Sequence, residues 1–268
     1  MDFFASINNL PISISDSGKG DSVLFFLHGY LETRYIWEEF MGLLPDNYRK
    51  ICIDIPGHGL SSSDKESNTM DLCASVVVGV MDKLHIEKAT IIGHSMGGYI
   101  GQNVLKLYPD RVEGLIHFNS NPYADNPSKK GDRLKEIEVI RAGKLVTLAG
   151  IAIPGMYSDK NIIRCDDVIK GTVEICDMHD PEGIVANIKG LMDRVDQCET
   201  LNTAKVPVLF ILGDDDKYLP QNKLEELKKD VPNAEYIIIP NTGHNSFIEE
   251  PKLVLEAFLD YQRKLSNG

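Results

Sequence analysis

Apolar residues along this chain follow two alternating patterns. Short, mostly apolar runs recur at Val23–Leu27, Ile51–Ile53, Ala89–Ile92, Val112–Phe118, Val206–Leu212 and Ala234–Ile239. Runs of this length, rich in β-branched residues, read as strands buried on both faces. Phe3–Ile7 and Ile12–Ser15, separated by Asn8-Asn9, read as an antiparallel hairpin. Between the runs the spacing becomes helical. Trp37, Phe40, Leu43 and Leu44 share a face, as do Leu72, Val76, Val80 and Leu84 within Thr69–Leu84. Gln221–Lys229 reads as a charged helix, and Val254, Phe258, Tyr261 and Leu265 line a closing one. Strands alternating with helices predict an α/β fold, with a mostly parallel central sheet and helices on both faces.

The alternation stops between Asn121 and about Thr200. Leu134, Ile137, Arg141, Leu145 and Leu148 fall at helical spacing, and so do Ile184, Ile188, Leu191 and Val195. No strand intervenes. The division expected is a core of residues 1–120 and 201–268, with a helical insertion at 121–200.

Composition narrows the partners. A chain of 268 residues suits one α/β domain with an insertion. Asp and Glu number 40 against 28 Lys and Arg, a net charge of −12, which argues against nucleic acid and anionic membranes as partners. The N-terminal residues have no basic, then apolar, leader pattern, and no apolar run reaches membrane-span length. Five cysteines without C-x-x-C spacing read as reduced thiols, so a cytoplasmic protein is expected. No His or Cys pair has metal-ligand spacing, and Asp214-Asp215-Asp216 is not spaced like a calcium loop.

The chemistry centres on Gly93-x-Ser95-x-Gly97, between the strand at 89–92 and a helix over Tyr99–Tyr108 that Pro109 stops. Strand, sharp turn and helix form the context of a nucleophile elbow. Such a turn leaves no room for a Cβ two residues either side of the serine, and the helix behind it presents free N–H groups. Serine needs a base, and the base needs an orienting group. Both stand at later strand ends: Gly213-Asp214-Asp215-Asp216 and Gly243-His244. The order is Ser, Asp, His.

These pieces, with His28-Gly29-Tyr30, Trp37 and Asp54-x-Pro56-Gly57-His58-Gly59-x-Ser61, resemble the α/β-hydrolase superfamily from end to end. The resemblance implies the α/β-hydrolase fold, with the insertion as a helical cap between strands six and seven. It implies Ser95 as nucleophile, His244 as general base and acid, and Asp216 as orienting acid. Asp214 and Asp215 are the rival acids. After the sixth strand, where some members carry the acid, this chain has Asn119-Ser120-Asn121. The oxyanion hole would be the backbone N–H groups of Tyr30 and Met96. His28 and His58 would hold loops and His94 would pack behind the elbow, while His85, His117 and His179 match no motif. Asp132–Lys144 and Gly183–Ile188 are similar to cap helices of 3-oxoadipate enol-lactonases and related carboxylesterases. Trp37, Leu148, Met156, Tyr157, Ile184, Leu191 and Met192 are candidates for the substrate pocket, and Arg194 for either a substrate carboxylate or a surface salt bridge.

Serine at the elbow excludes the haloalkane dehalogenases and epoxide hydrolases of this type, which use Asp there. The reaction expected is hydrolysis of a small carboxylic ester or lactone through an acyl-enzyme, without a cofactor, by a monomer or small homo-oligomer. A C–C bond hydrolase, lyase or perhydrolase on the same triad is the alternative within enzymes. A ligand-binding signalling protein is the alternative outside them.

Overall fold

A computed structural model describes residues 1–63 and 66–267, with side chains as far as 264. The N-terminal hairpin joins β1 (Asp2–Ile7) and β2 (Leu10–Asp16) through Asn8 and Asn9, both at positive φ, 51° and 66°. Asn tolerates that region, which a tight two-residue hairpin turn requires. Then follow β3 (Ser22–Leu27), a 3-10 turn (Arg34–Trp37), α1 (Glu38–Leu43), β4 (Tyr48–Ile53), α2 (Met70–Lys83), β5 (Ala89–His94), α3 (Met96–Leu107) and β6 (Val112–Phe118). Five helices come next: α4 (Pro127–Arg141), α5 (Leu145–Ala152), α6 (Asp166–Ile175), α7 (Pro181–Asp193) and α8 (Cys198–Asn202). The chain ends with β7 (Val208–Gly213), α9 (Gln221–Asp230), β8 (Glu235–Ile239), α10 (Ser246–Glu249) and α11 (Pro251–Asn267).

The strands form one sheet in the order β1-β2-β4-β3-β5-β6-β7-β8. The hairpin pairs antiparallel and β2 pairs antiparallel with β4; every other neighbour is parallel. The period of two divides β3 between the sheet's faces. Phe25 and Leu27 pack with α2 and α3, whereas Leu24 and Phe26 pack with Trp37, Phe40 and α11. Each such fully buried side chain contributes roughly 1.5–3 kcal/mol. The mostly parallel α/β sheet read from the sequence is the architecture observed.

The helix faces differ in detail. Leu43 is exposed although Phe40 and Leu44 are buried, because α1 ends at Leu43 and Leu44 is already extended, at ψ 144°. The apolar spacing from Leu134 to Leu148 is split between α4 and α5, with Gly143 at φ 75° closing the first helix. Leu134 faces solvent at 54% exposure, and Ile137 and Ile140 carry the buried face. Val195 lies beyond the end of α7 and is exposed. Leu265 lies outside the residues whose side chains are described. Among the described residues, no helix is long and apolar enough to cross a membrane.

Candidate active site

β5 delivers Ser95 and α3 begins one residue later. Ser95 has φ 49° and ψ −112°, a conformation that costs a non-glycine residue roughly 1–3 kcal/mol. The close packing around it requires glycine: a Cβ on Gly93 would strike the Gly97 backbone, and one on Gly97 the Leu27 carbonyl. The turn is tied down from β6, since Ser95 N donates to Phe118 O at 3.0 Å and Ser120 Oγ donates to Ser95 O at 2.8 Å.

Of the three consecutive carboxylates after β7, Asp216 is the one at the imidazole. Asp214 and Asp215 are exposed, and Asp215 accepts from Ser158 Oγ. His244 Nδ1 lies 2.8 Å from Asp216 Oδ2. The same carboxylate accepts from Asn119 Nδ2 at 3.1 Å and from Tyr218 N at 2.8 Å. Burial works against its charge, but His244 and these donors outweigh burial and hold the Asp216 carboxyl below its usual pKa. An ionised Asp216 makes Nδ1 of His244 the donor, which leaves Nε2 free as an acceptor. The Tyr218 ring also packs on this imidazole, with ring centroids 4.7 Å apart.

Ser95 and His244 line one cavity of about 540 Å³ between the sheet's C-terminal edge and helices α4, α5 and α7. Tyr30 and Met96 line it too. Among the described residues, no acceptor engages the backbone N–H of either. Leu31, next to Tyr30, sits at φ 64°, unusual for a bulky residue, and Glu32 accepts from Gly29 N at 2.6 Å. The loop that presents Tyr30 is therefore held in a specific strained shape.

The structure divides the pocket candidates. Leu148, Met156 and Leu191 line the cavity. Trp37 does not: it is sealed on the opposite face of the sheet, stacked on Phe247 at 4.4 Å and packed against Phe26 and Phe118. Tyr157 and Ile184 are buried in the core beside the cavity rather than at its wall. Met192 turns outward to a separate shallow groove with Glu66 and Lys189. Arg194 is no surface ion pair. It is buried at the cavity, 2.7 Å from Asp125 and 4.3 Å above the Tyr99 ring.

The remaining buried histidines serve loops and core, and His85 is exposed. His28 Nδ1 donates to Gly29 O at 2.7 Å and Nε2 accepts from Ile55 N at 2.9 Å, while His58 Nε2 accepts from Leu31 N. His117 stacks on Phe210, and burial pushes its pKa down to about 3. His179 Nδ1 accepts from Gly59 N, and burial lowers its pKa to about 4. His94 does pack behind the elbow, between Glu32 and the backbone of His244.

Residues 22–141 and 158–251 match the family described as the alpha/beta hydrolase fold. The chain belongs to that family. Among its relatives is a 2-hydroxy-6-oxononadienedioate/2-hydroxy-6-oxononatrienedioate hydrolase from Paraburkholderia phymatum, 26% identical over 94% of this chain and 91% of that protein. Among solved structures, a thermophilic esterase from Thermogutta terrifontis, with malate bound, superposes with a TM-score of 0.91 at 26% identity over 99% of both chains. The enol-lactonase from Burkholderia xenovorans LB400 shares the fold, with a TM-score of 0.88 at 22% identity over 97% of this chain and all of that one, 100%.

Several residues of this α/β hydrolase's site escape sequence reasoning. Asn119 looks like the absence of an acid, yet it donates to Asp216 and also to Gly243 O at 2.9 Å. Glu32 looks like loop charge. Lys129, Arg133 and Glu136 look like the solvated face of a helix, yet all three line the cavity. One signal was available for Lys129: a cation in the first turn of a helix opposes the helix dipole.

Proposed function

We propose that this α/β hydrolase is a serine hydrolase that cleaves a small carboxylic ester or lactone through an acyl-enzyme. One observation carries the reading: Asp216 grips Nδ1 of His244 at 2.8 Å while His244 and Ser95 share one cavity. Ser95 Oγ attacks the acyl carbon as His244 Nε2 takes its proton. The carbonyl oxygen becomes an oxyanion that the N–H groups of Tyr30 and Met96 receive; losing such a donor typically costs about 10²–10³ in rate. Collapse breaks the ester C–O bond, and His244 returns the proton to the leaving oxygen. Water, deprotonated by His244, then attacks the acyl-enzyme, and the proton goes back to Ser95 on release. The helices at 121–200 act as a cap, with Leu148, Met156 and Leu191 as an apolar wall for the acyl chain. Five free cysteines, Cys52, Cys73, Cys165 and Cys176 among them buried, fit a reducing cytoplasm.

The name of the Paraburkholderia relative favours a second reading, hydrolysis of a C–C bond in a vinylogous diketone by the same groups. Parallel assays with a short-chain p-nitrophenyl ester and a vinylogous diketone separate the two. The ester reading expects Ser95-dependent ester turnover with the higher kcat/KM. Diketone cleavage that outruns ester turnover would replace it with the second.

A further inference from the structure

We propose that the cavity holds an anion subsite at the first turn of α4, built on Lys129 and Arg133, which selects substrates carrying a carboxylate besides the reacting ester or lactone. The inference rests on the hydrolase reading above and names its substrate class.

The two cations are badly placed for helix stability. Lys129 lies in the first turn of α4, where its own N–H is capped by Asn126 Oδ1 at 2.9 Å. No acidic side chain occupies that turn, so the positive helix end faces a positive side chain. Arg133 follows one turn later on the same face, a repulsive spacing for like charges. Both side chains line the cavity with Ser95 and His244.

Their neighbours answer the charge of Arg133 but not that of Lys129. Arg133 pairs with Asp125 at 3.4 Å and Glu136 at 3.3 Å, which hold its pKa above the usual value against burial, and Asp125 also pairs with Arg194 at 2.7 Å. At the cavity mouth Lys217 and Lys223 have their own partners, Asp159 and Glu226. Among the described residues, the Lys129 ammonium has no ion pair or side-chain hydrogen bond; it stands 5.9 Å above the Tyr218 ring. Burial lowers its pKa and Arg133 lowers it further, as expected of a cation lacking a close anion. Basic side chains around the cavity outnumber acidic ones in a chain whose net charge is −12.

A second observation is independent of the cations. Tyr30 is 9% exposed, lies beneath the Arg133 guanidinium at 5.6 Å and lines the same cavity. Its hydroxyl is sealed from solvent without a partner among the described residues. A buried hydroxyl left so is costly, and with its ring beneath Arg133 this unmet polar group lies beside the proposed subsite. The Tyr218 ring stands 5.9 Å from the Lys129 ammonium and 4.7 Å, centroid to centroid, from the His244 imidazole, which sets the subsite one side chain from the reacting centre.

The test compares kcat/KM for two pairs of esters: mono-p-nitrophenyl adipate against p-nitrophenyl hexanoate, and 4-acetoxybenzoate against phenyl acetate. The charged-to-neutral ratio in at least one pair should fall about tenfold or more in Lys129→Met, the loss expected of one charge-assisted contact, and recover in Lys129→Arg. Lys129→Met should also raise the melting temperature, which a purely structural lysine would not do. Ratios unchanged in both pairs would overturn the subsite. Calorimetry of adipate with Ser95→Ala and Ser95→Ala/Lys129→Met separates this from the parent reading. Lys129-dependent adipate binding without turnover of any ester would sustain the subsite and sink the hydrolase. Ser95-dependent turnover with neither binding nor ratio sensitive to Lys129 would do the reverse.

Discussion

The imidazole of His94 holds the backbone carbonyl of His244, with Nε2 2.9 Å from the oxygen. Its other nitrogen, Nδ1, lies 2.9 Å from Glu32 Oε2, which also accepts from Gly29 N. Both ring nitrogens therefore face acceptors and both carry hydrogen, so His94 is an imidazolium paired with a buried carboxylate. One ion pair thus braces the Tyr30 loop, the elbow and the His244 loop against one another. Burial opposes both charges, but each partner outweighs it: the His94 pKa is raised above 6.5 and that of Glu32 lowered below 4.5.

The sign of the pH effect follows. Glu32 contributes stability that is present above 4.5 and lost as pH falls through its depressed value. His94 contributes stability that is full below 6.5 and lost as pH rises through its raised value. Glu32→Gln should cost about 3 kcal/mol near neutral pH, because it strands a buried cation. Urea unfolding across about pH 5 to 9 should show an alkaline decline in the wild type that is absent in this variant. Equal slopes in the two proteins would contradict the charged pair.

Asn119 is placed to hold Asp216 and the His244 loop together. Its amide donates to Asp216 and Gly243 O, its oxygen accepts from Ser246 Oγ at 2.6 Å, and it sits at φ 47°. Asn119→Ala should lower kcat roughly tenfold to hundredfold, the equivalent of one or two hydrogen bonds to charged groups. Asn119→Asp should lower it further, since a second carboxylate would repel Asp216. Steady-state kinetics with circular dichroism checks both.

Glu249 ties the His244 loop to the segment between α5 and α6. Its carboxylate accepts from Gly243 N at 2.8 Å, Ser158 N at 3.0 Å and Asn161 Nδ2 at 2.7 Å. His244 N adds a bond to Met156 O. Glu249→Leu leaves these donors stranded, at about 1–3 kcal/mol each. A melting temperature lowered by several degrees is expected; an unchanged one would show that water replaces the carboxylate.

Trp37 belongs to the core behind the sheet, not to the substrate cavity. Trp37→Phe should destabilise by about 1–3 kcal/mol through the void it leaves and should leave KM for an ester within about twofold. Chemical denaturation alongside steady-state kinetics reads both.

The strands were legible because a parallel sheet buried on both faces needs unbroken apolar runs such as Leu209–Leu212. The elbow was legible because its glycines are dictated by backbone crowding. Pocket walls were not. Helical spacing marks Ile184 and Leu191 alike as buried, but only the packing decides that Leu191 meets the cavity and Ile184 the core. Trp37 illustrates the same gap across the sheet, since a residue after β3 can turn to either face. The Glu32–His94 pair spans residues far apart in the chain, and no local pattern announces it.

Whether Ser95 is an acylated nucleophile is read by stopped-flow release of p-nitrophenol from a short-chain p-nitrophenyl ester, with fluorophosphonate labelling followed by mass spectrometry. A burst that matches the enzyme concentration, a single phosphonyl adduct on the Ser95 peptide, and neither in Ser95→Ala are expected. A burst or adduct that persists in Ser95→Ala, or a wild type that fluorophosphonate leaves unlabelled, would contradict this role of Ser95.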